Sequence, residues 1–280
     1  MTGLEAAVIG LAALVILLII RIPVGIAMMT VGIVGYVSLS GIDPVINYMK
    51  TAAFWRFNSY DFSVIPMFLL MGEFASRSGL SRSLFEAANT FLGHRRGGVA
   101  MAAVGGCGAF GAICGSSLAT AGTMARVALP ELERYRYSGS LATGTLAAGG
   151  TLGILIPPSV ALIIYAISVQ ANIVQVFQAA LIPGIIGAAG YLMAIAVWVR
   201  LSPESGPLGA RADASQRWNA ILETWPTLLL FIVVIGGIYF GLFDPTEGAA
   251  VGAFGAALLA MWKVGFDIKI LFDCIRNTAK

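Results

Sequence analysis

The sequence predicts an all-α membrane protein that crosses the bilayer several times. Of its 280 residues, 58% are hydrophobic and only 11% are charged, and the mean hydropathy is +0.88. A soluble domain needs more charge than this to cover its surface. Long apolar segments also recur along the chain, and about 20 apolar residues are enough to span a bilayer core. The bilayer is therefore the expected solvent of this protein.

Nine apolar segments are candidate spans or half-spans. In chain order they are 4–20, 23–40, 62–77, 97–115, 117–130, 139–171, 177–199, 225–241 and 247–263. The first is unlike a signal peptide, because a signal peptide begins with positive charge. Here Glu5 lies near the start of the segment, and the first basic residue, Arg21, follows it. We therefore expect the first segment to remain as a membrane span.

Segment 97–130 decides the predicted topology. A single crossing would place Arg134 on the opposite side from Arg95, whereas the two limbs of a re-entrant hairpin would place both on the same side. With the hairpin, 15 of the 17 basic residues share one side, and only Lys50 and Arg56 lie on the other. With a single crossing, the division is 5 and 12. Because Lys and Arg concentrate in cytoplasmic loops, the hairpin is predicted, with a periplasmic N-terminus.

The chain then divides into four predicted regions. They are 1–61, with two scaffold spans and an outer interfacial segment; 62–200, a core with the hairpin 97–130 and a broken helix 139–171; 201–224, a cytoplasmic linker; and 225–280, with further spans.

Two segments are expected to lie at the membrane surfaces. The outer interfacial segment carries Phe54, Trp55, Phe57 and Tyr60, and aromatic side chains favour the headgroup region. Segment 80–92 has one apolar and one polar face when it is drawn as a helix. It suits an amphipathic helix on the inner surface.

The first predicted interruption of a membrane helix is the sequence GAICGSSLAT at 111–120. Gly115 provides the backbone freedom for a turn at the tip of the hairpin. Ser116 can cap the helix that returns from this tip. The limbs on both sides are rich in small residues, which allow helices to approach closely.

The second predicted interruption is the sequence GGTLGILIPPS at 149–159, near the middle of segment 139–171. Pro157 and Pro158 remove two backbone donors, so the helix should stop before them and restart near Pro158. Non-helical backbone at membrane depth occurs only where protein or a water-filled cavity satisfies its polar groups. Two such interruptions that bear hydroxyl groups therefore favour a binding site over simple helix packing.

The ends of these half-helices suggest what the site binds. A helix N-terminus presents free N–H groups and partial positive charge, which suit a carboxylate. Unwound carbonyls and helix C-termini, expected near Gly115 and Gly150, suit a dehydrated cation such as Na⁺. Facing broken helices of this kind are typical of secondary transporters.

Other kinds of chemistry have little support in the sequence. It contains no nucleophile–base pair, no phosphate loop and no basic run interleaved with aromatics, so neither an enzyme nor a nucleic-acid-binding protein is predicted. Cys107, Cys114 and Cys274 do not have metal-ligand spacing with the only histidine, His94. We expect no transition-metal site and no organic cofactor.

Three acidic or basic residues within or beside the spans are given structural interpretations. Glu73 and Arg126 lie near the inner ends of their segments, where long side chains usually reach for the interface. Glu247 follows Asp244 at a predicted helix start, where negative charge is favourable.

Four motifs in order along the chain resemble the large membrane subunit of tripartite ATP-independent periplasmic (TRAP) transporters. They are IPMFLLMG at 65–72, GSSLAT at 115–120, LGILIPPS at 152–159 and GGIYFGLFDPTE at 236–247. The resemblance implies an elevator-type symporter with inverted repeats in the bacterial inner membrane. It would import C4-dicarboxylates or related organic acids, with Na⁺ as the coupling ion. It also implies two partners, an extracytoplasmic solute-binding protein and a small four-helix membrane subunit.

The resemblance also assigns residues to a site. The substrate-binding residues it implies are Ser116, Ser117, Thr120, Pro158 and Ser159. The ion-binding residues it implies are Gly115, Ser116, Gly150, Gly153 and Pro157. Ala125, Val169, Gln170 and Ala180 depart from residues common in the family.

The second of the inverted repeats is expected to be incomplete, because only two spans follow residue 224. Residues 1–280 are therefore expected not to transport without further protein. Two alternatives remain open, namely an organic-anion carrier that works without a binding protein and a channel or non-transporting subunit of a membrane assembly. A channel would require a continuous polar lining that these spans lack.

Overall fold

The computed structural model describes residues 3–58, 60–209, 211–265 and 267–279, and it separates the chain into two units. The first unit, Met1–Tyr60, contains α1 (Gly3–Ile19), α2 (Val24–Ser40) and α3 (Ile42–Phe57). Pro23 immediately precedes α2, where its missing N–H costs nothing. The side chains of Trp55 and Phe57, predicted at the outer interface, lie outside the described residues.

The second unit, Asp61–Lys280, contains the remaining helices. They are α4 (Val64–Arg77), α5 (Leu80–Leu92), α6 (Gly98–Cys114), α7 (Ser117–Arg134), α8 (Gly139–Leu155), α9 (Val160–Ser168), α10 (Ile173–Leu201), α11 (Ala214–Phe231), α12 (Gly237–Tyr239), α13 (Pro245–Val264) and α14 (Ile268–Thr278). A 3₁₀ turn, Tyr60–Ser63, precedes α4, and another, Pro203–Ser205, follows α10. A π-helical segment, Ile232–Gly236, joins α11 to α12.

Three helical stretches of the described chain are long and apolar enough to cross a membrane. They are Ile173–Leu201, Ala214–Tyr239 and Pro245–Val264, and the bent pair α8–α9 makes a fourth if it is one span. The helices α1, α2 and α6 are apolar but have 17 residues each, or about 25 Å at the usual rise per residue. The all-α architecture with several apolar helices confirms the predicted fold class.

The predicted hairpin is present as α6 and α7, joined by only Gly115 and Ser116. Gly115 has a φ of 65°, which ends α6, and the Ser116 side chain accepts a hydrogen bond from the Ala119 N–H at 3.4 Å. The two helices pack side by side, since a Cβ atom on Gly106 would lie 2.7 Å from Cε of Met124. Gly106 therefore allows the two limbs to approach closely at this point.

The broken helix is also present, but its break is shorter than predicted. α8 continues to Leu155, α9 begins at Val160, and their axes differ by 41°. Gly150 and Gly153 are inside α8, so the expectation of unwound carbonyls near Gly150 is wrong. Each glycine costs roughly 1 kcal/mol of helix propensity, whereas the two prolines remove backbone donors altogether, so only they end the helix.

The predicted linker 201–224 is longer than the connection between α10 and α11 in the structure. α11 begins at Ala214, where Asp213 and Gln216 form a capping box that starts the helix. Residues 214–224 are thus helical, and the predicted span 225–241 is the continuation of a helix that begins earlier.

The remaining connection is held against the base of the hairpin. Gly97 donates its N–H to the Gly206 carbonyl at 3.1 Å, and Gly209 donates to the Gly93 carbonyl at 3.0 Å. The N–H of Ser138, before α8, donates to the Ser205 carbonyl at 3.1 Å. These hydrogen bonds join the connection to the starts of both α6 and α8.

Two amphipathic helices pack within the second unit. α5 coincides with the predicted segment 80–92 and buries Leu80, Leu84 and Phe85. Thr224 of α11 donates its hydroxyl to the Ser83 carbonyl at 3.2 Å, so protein covers part of this face. α14 was not among the predicted elements; an ion pair of 3.5 Å between Arg77 and Asp273 connects it to α4.

Candidate functional site

The hairpin tip and the helix break meet. The N–H of Val160, the first residue of α9, donates to the Gly115 carbonyl at 3.1 Å. A Cβ atom on Gly115 would lie 3.0 Å from the Pro158 carbonyl oxygen. The junction therefore gathers the C-termini of α6 and α8 and the N-termini of α7 and α9 within one small region, which we call the tip–break junction (residues 114–120 and 153–160).

Glycines form the contact surface behind this junction. A Cβ atom on Gly111 would lie 2.6 Å from Cα of Gly153, and one on Gly153 would lie 2.7 Å from Oγ1 of Thr120. A Cβ atom on Gly150 would lie 2.6 Å from Cβ of Ala121. Real Cβ atoms do not approach other atoms so closely, so this contact surface requires glycine.

Two hydroxyl groups at the junction are buried without a hydrogen-bond partner. Thr120 and Ser159 are each 0% exposed, and neither Thr120 Oγ1 nor Ser159 Oγ bonds to any residue that the structure describes. The Cys114 thiol lies beside Thr120, but a thiol is a weak partner. A buried hydroxyl without a partner costs about 1–3 kcal/mol, so the presence of two of them at one junction makes it the candidate binding site.

The structure brings most of the predicted site residues together. Gly115, Ser116, Thr120, Gly153 and Ser159 all lie at the junction. Pro157 and Pro158 are buried in the break beside them. Ser117 is the half-buried first residue of α7. Gly150 is set apart, since it packs against Ala121 about one helical turn behind the break.

The electrostatic character of the junction follows from its backbone. The N-termini of α7 and α9 contribute partial positive charge, and the C-termini of α6 and α8 contribute partial negative charge. An anion and a cation can therefore be accommodated near each other. The atoms at the junction that could coordinate a cation are hydroxyl and carbonyl oxygens. Within the described residues, no group of three His, Cys, Asp or Glu could hold a metal ion. Oxygen ligands of this kind suit a hard monovalent cation.

A cavity of about 1050 Å³ leads away from the junction between α4 and α7. Its walls include Cys114 and Ser116 at one end and Arg126 farther along α7. The Ser76 and Thr123 hydroxyls, 3.2 Å apart, connect the two walls. α5 and the end of α14 complete the lining.

Glu73 and Arg126 both line this cavity, although the sequence suggested only that they reach for the interface. The sequence does contain a pattern that is consistent with this lining. Glu73 shares a helix face with Ser76, and Arg126 shares one with Thr123, each at i, i+3 spacing. The spacing does not reveal that these two faces oppose each other; the tertiary structure does, since the Ser76 and Thr123 hydroxyls meet at 3.2 Å.

Comparison with known proteins finds a family whose model matches most of this chain. The family model described as the DctM component of tripartite ATP-independent periplasmic transporters matches residues 11–280. The chain is 35% identical over 203 residues to the C4-dicarboxylate TRAP transporter large permease protein DctM of Pseudomonas aeruginosa, which covers 72% of this chain and 47% of that protein.

Two further relatives match this chain over longer alignments. The DctM protein of Rhodobacter capsulatus, also named as a C4-dicarboxylate permease, is 33% identical over 223 residues, or 75% of this chain and 50% of that protein. The sialic acid TRAP transporter permease protein SiaT of Haemophilus influenzae is 29% identical over 280 residues, or 99% of this chain and 45% of that protein. The chain spans about half the length of the curated relatives it matches.

Proposed function

Because the chain belongs to the DctM component family of tripartite ATP-independent periplasmic transporters, we propose that it forms the membrane pathway of a carboxylate importer driven by cation symport. A permease of this family is not an enzyme. The transporter lies in the bacterial inner membrane with its N-terminus in the periplasm. An extracytoplasmic solute-binding protein delivers the substrate, and a small membrane subunit completes the assembly.

The proposal depends most on the unpartnered hydroxyls of Thr120 and Ser159 at the tip–break junction. With the carbonyl groups at the end of α6, these oxygens supply the ligands of a dehydrated Na⁺ ion. The N-termini of α7 and α9 then attract the carboxylate of the substrate beside the cation. Each ion offsets part of the charge of the other, which couples their binding.

The substrate class is proposed as organic carboxylates. Relatives are named for C4-dicarboxylates and for sialic acid, and others for isethionate and ectoine. The first two names are of carboxylates, which fits the helix N-termini at the junction. Uptake of a panel of labelled C4-dicarboxylates and sialic acid by the assembled transporter, with Na⁺ or with choline outside, tests both the class and the coupling ion. Uptake that is equally fast in choline would reject Na⁺ symport.

Thr120→Val is expected to raise the external Na⁺ concentration for half-maximal uptake about tenfold, the effect of losing one well-placed ligand. Valine keeps the shape of threonine but removes the hydroxyl oxygen. The measurement is initial uptake against Na⁺ concentration in proteoliposomes that contain the assembled transporter.

Thr145→Val provides a matched control for this substitution. Thr145 is 5% exposed, its hydroxyl also lacks a partner among the described residues, and it lies in α8 about two turns before the junction. Its replacement should leave the Na⁺ dependence unchanged. Equal Na⁺ dependence in Thr120→Val and the wild-type protein would remove Thr120 from the cation site.

A further inference from the structure

The cavity between α4 and α7 contains two charged side chains that the described residues do not neutralise. Arg126 and Glu73 both line it, and neither takes part in an ion pair within the described part of the chain. Two other cations on the wall do have partners. Arg77 pairs with Asp273 at 3.5 Å, and Arg82 pairs with Glu86 at 2.8 Å. Among the described cations of the lining, Arg126 is thus the one free to bind an anion.

Arg126 is on the same wall as the tip of the hairpin. Ser116, Ala119, Thr123 and Arg126 all line the cavity, and their spacing places them on one face of α7. At the usual rise of about 1.5 Å per residue, Arg126 lies about 15 Å from Ser116 along the helix. The cavity is therefore a path from the tip–break junction toward the base of the hairpin.

The direction of this path follows from the charge distribution. The base of the hairpin and the helix ends beside it carry most of the basic residues, which places them on the cytoplasmic side. A ligand that leaves the junction through this cavity passes Arg126 on its way to the cytoplasm. Glu73 stands on the opposite wall, contributed by α4.

We propose that this cavity is the cytoplasmic release vestibule and that Arg126 binds the carboxylate of the outgoing substrate; this rests on the proposed function. A guanidinium group presents a planar pair of donors that matches a carboxylate. Glu73 repels the same carboxylate and keeps its binding weak. A conduction site must bind strongly enough to admit a ligand and weakly enough to let it leave.

The two charges therefore have opposite expected effects. Arg126→Gln should raise the apparent KM for the carboxylate on the cytoplasmic side about tenfold, the scale of a lost charge-assisted hydrogen bond. Glu73→Gln should lower the same KM about threefold, the scale of a screened repulsion between charges. Both variants should leave the KM on the outer side within about twofold, because a charge more than a Debye length of about 10 Å away is largely screened.

The experiment compares right-side-out and inside-out membrane vesicles that contain the assembled transporter, with a labelled dicarboxylate as substrate. Arg126→Lys should restore part of the cytoplasmic-side affinity, because it keeps the charge without the planar fork. Arg134→Gln is the control. Arg134 is also on α7, but it lies outside the cavity lining and pairs with Glu131 at 3.5 Å. The KM values of the Arg134→Gln variant should therefore match those of the wild-type protein.

The possible failures are distinguishable. Wild-type vesicles that do not transport any carboxylate would reject the proposed function itself. Wild-type transport with an unchanged cytoplasmic-side KM in both charge variants would reject only the vestibule, and so would a shift confined to the outer side. If Arg126→Gln assembles poorly on size-exclusion chromatography, Glu73→Gln decides, and an unchanged or raised KM in that variant overturns the proposal.

Discussion

Replacing Gly153 by alanine is expected to abolish most transport while leaving the protein assembled in the membrane. The added Cβ atom would lie 2.7 Å from Oγ1 of Thr120 and 3.0 Å from the Ser116 carbonyl oxygen. The second of these atoms belongs to the backbone, so the hairpin tip must move away from the break. Overpacking of this kind lowers the folding stability by about 1–3 kcal/mol, and we expect the protein to remain folded and assembled after this loss.

The functional cost should be larger than the cost in stability. A displacement of about 1 Å among groups that must act together lowers activity on the order of 100-fold. We therefore expect the maximal uptake rate to fall by about that factor, measured as initial uptake at saturating substrate and Na⁺. Oligomeric state and thermal stability in detergent, measured on the same preparation, should change little.

Gly144→Ala is the matched control, because the same substitution is made in the same helix. A Cβ atom on Gly144 would meet nothing within 4 Å. Alanine also has the higher helix propensity, by about 1 kcal/mol, so this variant should transport normally and be as stable as the wild-type protein or more so. If Gly153→Ala transported as well as Gly144→Ala, close contact between tip and break would be unnecessary for function.

The second large effect is expected at the base of the hairpin, where Tyr137→Ala should destabilise the protein strongly. The Tyr137 side chain is 6% exposed. Its hydroxyl accepts a hydrogen bond from the Val99 N–H at 3.2 Å and donates one to the Pro207 carbonyl at 3.1 Å. Burial raises the pKa of Tyr137, so the phenol remains protonated and keeps its donor. One side chain thus joins α6 to the connection between α10 and α11.

Two substitutions separate packing from hydrogen bonding at this position. Tyr137→Ala removes a buried ring, and the comparable loss of a phenylalanine costs about 3–5 kcal/mol. Tyr137→Phe keeps the ring but leaves the buried Val99 N–H and the part-buried Pro207 carbonyl without this partner, at about 1–3 kcal/mol. The measurement is thermal unfolding in detergent, together with hydrogen exchange of the Val99 amide, which should become faster in both variants.

Tyr135→Phe is the control for the loss of a phenol hydroxyl near the same base. The Tyr135 side chain is partly exposed, and its hydroxyl forms no hydrogen bond with the described residues. Its removal should therefore change the midpoint of unfolding very little. If Tyr137→Phe behaved in the same way, the connection would not depend on this hydroxyl.

Much of the candidate site could be predicted from the sequence because its stops and starts are local. Gly115 ends α6 through its positive φ, Ser116 caps α7, and Pro157 with Pro158 ends α8. Each of these residues acts on the backbone within a few positions of itself. The predicted hairpin 97–130 and broken helix 139–171 therefore begin and end within a few residues of the helix boundaries in the structure.

The sequence did not place Gly150 inside a helix, and it did not predict the start of α11 within the linker. Glycine weakens a helix but does not end it when neighbouring helices need the space, and Gly150 provides that space for Ala121. The sequence 201–224 has turn-forming residues in its first half, and these favoured a loop throughout. The capping box at Asp213 begins a helix within that stretch.

What the sequence by itself determined is a polytopic helical membrane protein of a known permease family, with two interruptions that bear hydroxyl groups. Composition and local backbone chemistry are sufficient for the membrane fold and the interruptions, and the resemblance of four motifs indicates the family. Only the tertiary structure decided that Thr120 and Ser159 are both buried at the tip–break junction without partners among the described residues, and that Glu73 and Arg126 line one cavity. Such pairs are about 40–50 positions apart in the chain, and helix packing, which no local pattern encodes, brings them together.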